Sequence, residues 1–155
     1  MRVAITGSSG LIGGALARSL EEDGHEVVRV VRSGDAGPGL VRWDVDRGEI
    51  DAAGLEGLDG VVHLAGEGIG DRRWSDEQKR RILESRTKGT QLLTTALSAL
   101  DAKPPVLVSG SAIGGYGDRG DEQLTEASAL GTGFLAEVVI AWEAAAAPAE
   151  TAGIR

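Results

Sequence analysis

The stretch Thr6-Gly7-Ser8-Ser9-Gly10-Leu11-Ile12-Gly13-Gly14 organises the reading of the whole chain. It follows Arg2 to Thr6 (RVAIT), a β-rich run. It leads into Leu11 to Glu22, where Leu11, Ala15, Leu16 and Leu20 recur at helical spacing until Asp23-Gly24 closes the element. Each glycine of the GxxGxxG pattern has a physical task. Gly7 permits a tight exit from the strand, Gly10 lets the backbone approach an anion with no Cβ in the way, and Gly13 allows helix and strand to pack closely. Free N–H groups and the helix dipole then favour a pyrophosphate. Gly7, Ser8, Ser9, Gly10, Leu11, Ile12 and Gly13 are therefore the first candidate contacts to a dinucleotide. A turn of purely structural purpose is the competing reading, but the pattern's place in a βαβ unit favours the ligand. The spacing is not that of a P-loop, and no lysine follows the glycines.

Beyond this unit, strands and helices alternate. Val27 to Val31 (VVRVV) is the second strand and Leu40 to Trp43 a short third one. Asp44 to Gly60, acidic and glycine-rich, has room only for a short helix around Asp51 to Leu58. Val61 to Leu64 (VVHL) is the fourth strand. Ser75 to Leu100 reads as one long helix, with Ser75 as cap, Gln78 in capping-box position, and Ile82, Leu83, Leu92, Leu93 and Leu97 as its apolar stripe. Pro104 and Pro105 stop it. Val106 to Val108 is the fifth strand, and a last helix runs from about Gly133 to Ala147. Short, mostly unalternated strands with helices between them require a parallel sheet covered on both faces.

Composition removes several classes of function. The chain has 155 residues, room for one domain rather than two. A net charge of -8 argues against a nucleic-acid partner. The basic run from Asp71 to Lys88 is interrupted by acids and reads as a solvated helix face. With no cysteine, and only His25 and His63, neither a disulfide framework nor a metal site is expected. No signal-peptide pattern or membrane-length apolar run appears, so a cytoplasmic protein without membrane association is expected.

Arg32 directly follows the second strand, where a site selective for NAD places an acid on the ribose 2′-hydroxyl. A guanidinium there suits a 2′-phosphate instead, which points to NADP over NAD. Asp35, further along the loop, is the late acid that would argue the other way. Glu67, at the carboxyl end of the fourth strand, has equal claims as a crevice carboxylate and as a plain loop residue. His63, inside an apolar strand, reads as a satisfied core histidine.

Taken together, TGSSGLIG, HLAGEGI at His63 to Ile69, Arg73-Trp74, SRTKGT at Ser85 to Thr90, SGSAIGGYGDRG at Ser109 to Gly120, LTE at Leu124 to Glu126 and FLAEVVIAWEAA from Phe134 resemble one family. It is the atypical extended short-chain dehydrogenase/reductase group, the NAD(P)-dependent epimerase/dehydratase-like "epimerase family protein". The resemblance implies a three-layer α/β Rossmann fold whose parallel sheet has strand order 3-2-1-4-5. It also implies that residues 1–155 form the N-terminal half of a longer protein. The sixth strand and the substrate subdomain would then be missing, and an open sheet edge would invite homodimerisation. Leu64, Ala65, Gly66 and Glu67 should pass the ribose and pyrophosphate. Arg86 takes the place of an asparagine and is expected to meet the cofactor or a substrate anion. Trp74 is either a pocket wall or ordinary packing.

Ordinary short-chain dehydrogenases pair a serine with a tyrosine and a lysine four residues later. Here the expected tyrosine place holds Phe134 or Leu135, and the lysine place Val138 or Val139. Tyr116, the only tyrosine, is followed four residues later by Gly120. Tyr116 or Glu67 is left as the proton-handling candidate, with Ser109 or Ser111 to hold the reacting oxygen. Two functions of different class follow: an NADP(H)-dependent oxidoreductase or epimerase acting on a carbon–oxygen centre of a small-molecule substrate, or a noncatalytic dinucleotide sensor or scaffold. A third outcome is that residues 1–155 alone bind no cofactor.

Overall fold

The sheet grows outward from Arg2–Thr6 (β1), which pairs in parallel with Glu26–Val31 (β2) on one side and Gly60–His63 (β5) on the other. A computed structural model describes residues 1–33, 37–70 and 72–155. Leu40–Asp44 (β3) extends the sheet beyond β2, and Leu107–Ser109 (β6) extends it beyond β5, all in parallel. The expected 3-2-1-4-5 order is thus present, with one addition. Glu49–Ile50 (β4) pairs antiparallel with β3 at its outer edge, giving β4-β3-β2-β1-β5-β6. Two residues carry no periodicity, so β4 is invisible in sequence. It forms because Asp44 Oδ1 accepts the Arg47 N–H and Gly48 turns with φ +69°. The Asp51–Leu58 helix contracts to a 3₁₀ turn at Ala52–Leu55.

Three helices complete the layers. Leu11–Glu22 (α1) buries Ala17 against Val3, Ile5 and Val27 on one face. The other face holds Ala4, Val28, Val41, Trp43 and Val61. It is covered by Asp76–Ala99 (α2) through Leu93 and Leu97, and by Phe134–Thr151 (α3) through Ala149. A Leu, Ile or Val fully buried in this way contributes about 1.5–3 kcal/mol.

Ser75 caps α2 as expected, its Oγ accepting the Gln78 N–H at 3.2 Å. The Gln78 side chain does not close the box. It donates instead to Glu67 Oε1 and the Gly68 carbonyl, both at 3.4 Å, because burial of the residue turns it toward the loop after β5.

Helix α3 continues a full turn past the expected Ala147, straight through Pro148. A Schellman closure holds that turn: the Ile154 N–H reaches the Ala149 carbonyl, the Gly153 N–H reaches that of Glu150, and Gly153 has φ +83°. Ala149 and Ile154 are both buried beneath it. The chain then runs along β6, with Leu107 N–H bonded to the Arg155 carbonyl and Arg155 N–H to that of Pro105. Among the described residues no helix is long and apolar enough to cross a membrane.

Candidate functional site

At the carboxyl end of β1, two loops meet with no room for side chains between them. Gly7 adopts φ +68°, and a Cβ there would lie 2.9 Å from the Leu64 carbonyl carbon. A Cβ on Gly13 would overlap the Gly7 carbonyl oxygen. The first bond of α1 runs from the Gly14 N–H to the Gly10 carbonyl. Among the described residues the N–H groups of Leu11, Ile12 and Gly13 have no acceptor. The Leu11 and Ile12 side chains stand 92% and 68% exposed beside them. Three free donors at a helix N-terminus, on a backbone held clear of side chains, fit a pyrophosphate. The residues present therefore fit a dinucleotide.

The second loop, Leu64 to Glu67, is held in place from beneath. Thr6 Oγ1 accepts the N–H groups of Leu64 and Ala65 at 3.0 and 3.1 Å and lies 2.7 Å from His63 Nδ1. Both hydroxyl lone pairs are used, so the hydroxyl proton goes to Nδ1, and His63 carries its own proton on Nε2. Nε2–H donates to Thr90 Oγ1 on α2 at 3.0 Å. His63 is fully buried, edge-on to Trp43 at 6.0 Å, and burial alone pushes its pKa down to about 4. It is the satisfied core histidine the sequence led us to expect, and its neutral form is part of the scaffold.

Above this, α2 ties down Glu67. The Glu67 N–H donates to Ser85 Oγ at 3.0 Å, and its carbonyl accepts Arg86 Nη1 at 3.0 Å. Its carboxylate turns to Gln78. Trp74 packs edge-to-face on Phe134 at 5.5 Å and donates its Nε1–H to the Ile69 carbonyl. The basic face of α2 behaves as a solvated surface: Arg80 and Arg81 pair with Glu77, and Lys88 with Glu84.

Arg32 lies exposed immediately after β2, with no ion pair among the described residues. Asp35 lies outside the described residues.

After β6, Ser109 and Ser111 part company. Ser109 Oγ makes only a 3.4 Å contact to the Gly110 carbonyl. Ser111 Oγ donates to Glu143 Oε1 on α3 at 2.5 Å. Tyr116 ends the 3₁₀ turn Ile113–Tyr116, which packs on Leu135 and Val139 through Gly114 and Gly115. Its hydroxyl has no hydrogen bond to either serine among the described residues. Val138 and Val139, at the place of the usual lysine, are buried in the core. Glu143 was not singled out in the sequence. The available signal was its position one helical turn beyond Val139, an acid in an alanine-rich helix.

The chain is similar to known proteins over nearly its whole length. The profile of the NAD dependent epimerase/dehydratase family matches residues 3–137. Epimerase family protein Mb2239 of Mycobacterium bovis is 41% identical over 153 residues, which are 99% of this chain and 50% of that protein. Human epimerase family protein SDR39U1 is 37% identical over 149 residues, 94% of this chain and 49% of that one. The crystal structure of its isoform 2 with NADPH matches at TM-score 0.81 and 35% identity, covering 94% of this chain and 48% of the human one. The nucleoside-diphosphate sugar epimerase from Corynebacterium glutamicum matches at TM-score 0.85 and 44% identity, over 100% of this chain and 32% of that one. The chain spans about half the length of the curated relatives it matches.

Proposed function

Because the chain belongs to the NAD dependent epimerase/dehydratase family, we propose that it binds NADP(H) across the carboxyl end of its sheet and serves a redox or epimerase reaction at a carbon–oxygen centre. One observation carries this reading. The Gly7–Gly13 turn and the Leu64–Gly66 loop interlock without side chains and leave three helix-terminal N–H groups without an acceptor among the described residues. Arg32 is the residue for the 2′-phosphate, its fork of donors matching a phosphate that NADH lacks.

Once bound, the nicotinamide supplies two-electron redox chemistry. The chain's own residues manage the proton. Ser111 commits its hydrogen to Glu143, so the Oγ lone pairs face outward as acceptors for a substrate hydroxyl. When that hydroxyl gives up its proton to Ser111 Oγ, the Ser111 proton passes to Glu143. This pair does the work assigned elsewhere to tyrosine and lysine.

Calorimetric titration with NADPH and NADH tests the cofactor reading. Saturable binding that is tighter for NADPH is expected. Arg32→Ala should weaken NADPH about tenfold, the value of one charge-assisted contact, and leave NADH nearly unchanged. An unaltered NADPH:NADH ratio in Arg32→Ala would remove Arg32 from the site. Heat from neither nucleotide would remove the function. The noncatalytic reading draws on buried Val138 and Val139 in place of a proton-transfer pair. Turnover by the full-length gene product in one direction or the other decides against it.

A further inference from the structure

Arg86 is a half-buried cation of the crevice with no counter-ion among the described residues. Its guanidinium lies 5.2 Å above the Trp142 ring. It is stacked so closely on Gly66 that a Cβ there would meet its Cζ at 3.3 Å. Trp142 in turn lies under Gly110, whose Cβ would meet the indole at 3.1 Å. The cation is therefore wedged between the loop that follows β5 and the loop that follows β6. Nη1 donates to the carbonyls of Glu67 and Ile82 at 3.0 and 3.1 Å. Nε–H and both Nη2 hydrogens have no protein acceptor among the described residues. Arg86 also makes no ion pair among them, although its neighbours on α2 do. Glu67, the carboxylate whose field reaches it, is hydrogen-bonded to Gln78 instead.

Half-burial without a counter-ion is costly for a charge. Desolvation holds the Arg86 guanidinium below its ordinary range, with Glu67 opposing weakly. The indole below it adds a second surplus donor: Trp142 Nε1 is buried without an acceptor among the described residues.

In the cofactor reading above, the pyrophosphate is assigned to the glycine turn after β1 and the 2′-phosphate to Arg32 after β2, which leaves Arg86 for an anion of the substrate. The dinucleotide crosses the sheet at the β1/β5 switch point, so β5 and β6 underlie the reacting half. There Arg86 shares the carboxyl edge with Ser111 and Glu143. We propose that Arg86, seated on Trp142 between the ends of β5 and β6, is the receptor for a carboxylate on the substrate, so that the protein acts on acidic small molecules. A planar carboxylate can take the free Nε and Nη2 donors as a fork, in the geometry that makes arginine–carboxylate pairs selective. The inference rests on the cofactor reading above, because the reacting half is defined by where NADP(H) lies.

The test uses UDP-glucuronate and UDP-glucose, which differ by one carboxylate, on the full-length gene product saturated with NADPH. Binding is followed by calorimetry and by tryptophan emission. UDP-glucuronate should bind about tenfold more tightly than UDP-glucose, the margin of one charge-assisted fork. It should also change an emission signal that Trp142→Phe removes. Arg86→Met should bring the affinity ratio close to one, and Arg86→Lys should restore part of it. A cooperative thermal transition in each variant establishes that it is folded. Equal affinities in the wild type, failure of UDP-glucuronate to bind, or a ratio unchanged in Arg86→Met overturns the proposal while leaving NADPH binding intact. Equal losses for both sugars in Arg86→Met would show the guanidinium reading the diphosphate, which overturns it as well. Absence of NADPH binding in the wild type would instead remove the underlying reading.

Discussion

Gly13→Ala is expected to lower the melting temperature by roughly 6–12 °C and to weaken NADPH binding by on the order of a hundredfold, whereas Gly14→Ala should do neither. The two glycines are adjacent on α1, and the chemistry of the change is identical. Their surroundings are not. A Cβ on Gly13 overlaps the Gly7 carbonyl oxygen and sits 2.9 Å from its carbon, backbone that cannot swing aside as a side chain would. Overpacking of this kind costs about 3 kcal/mol. Relief requires α1 to move away from β1, which displaces the free N–H groups of Leu11 and Ile12 from the pyrophosphate. Losing two charge-assisted hydrogen bonds accounts for the hundredfold. At Gly14 the same Cβ meets only the Ser8 carbonyl at 3.4 Å and the end of Arg18 at 3.8 Å. Alanine there removes chain entropy from the unfolded state and should stabilise by about 0.5 kcal/mol. Thermal melts and calorimetry on the pair decide the matter. Equal melting temperatures for the two variants would mean that the helix is not pressed on the turn.

The second large effect is on stability against acid, and it belongs to His63. Burial pushes its pKa in the folded protein down to about 4, from the 6.5 of an exposed imidazole. Between these values the unfolded chain binds a proton that the folded chain refuses. Stability therefore falls as pH drops through 6.5 and stops falling from this cause near 4. The shift corresponds to about 3 kcal/mol. Glu21, Glu77 and Glu84 are held below their usual range by arginine or lysine partners, so their contribution is lost with acid too, but at lower pH. A His63→Gln variant separates the two sources. It retains an acceptor for Thr6 and a donor for Thr90 but cannot ionise. In urea denaturation from pH 7 to 4.5, the wild type should lose stability steeply and the variant only shallowly. Parallel curves would show that the imidazole takes its proton without cost.

Much of the fold could be read from neighbours in the chain. The glycine turn, the Ser75 cap and the strand–helix alternation are properties of a few consecutive residues, because they express where φ must be positive, where a Cβ must be absent and where an N–H needs a cap. The same holds for Arg32, whose place is set by the end of one strand. Other features depend on longer-range packing. Strand β4 is two residues held by a turn, below any periodicity. Helix α3 passes Pro148 because Ala149 and Ile154 are buried beneath its last turn, which no local propensity records.

The site divides along the same line. Identity at a position was enough to nominate Gly7, Gly13, Glu67, Arg86 and Ser111. What each can do came from partners far away in sequence: Thr6 with His63, Ser111 with Glu143, and Arg86 with Trp142. Thr6 meets His63 because β1 and β5 are neighbours in the sheet, and the other two pairings exist because α2 and α3 lie together on one face and bring their side chains to the ends of β5 and β6. Local backbone requirements leave their mark on consecutive residues. A charge without a counter-ion, a histidine kept neutral or a hydroxyl committed to a carboxylate is a property of distance in space, and the packing of helices on the sheet sets that distance.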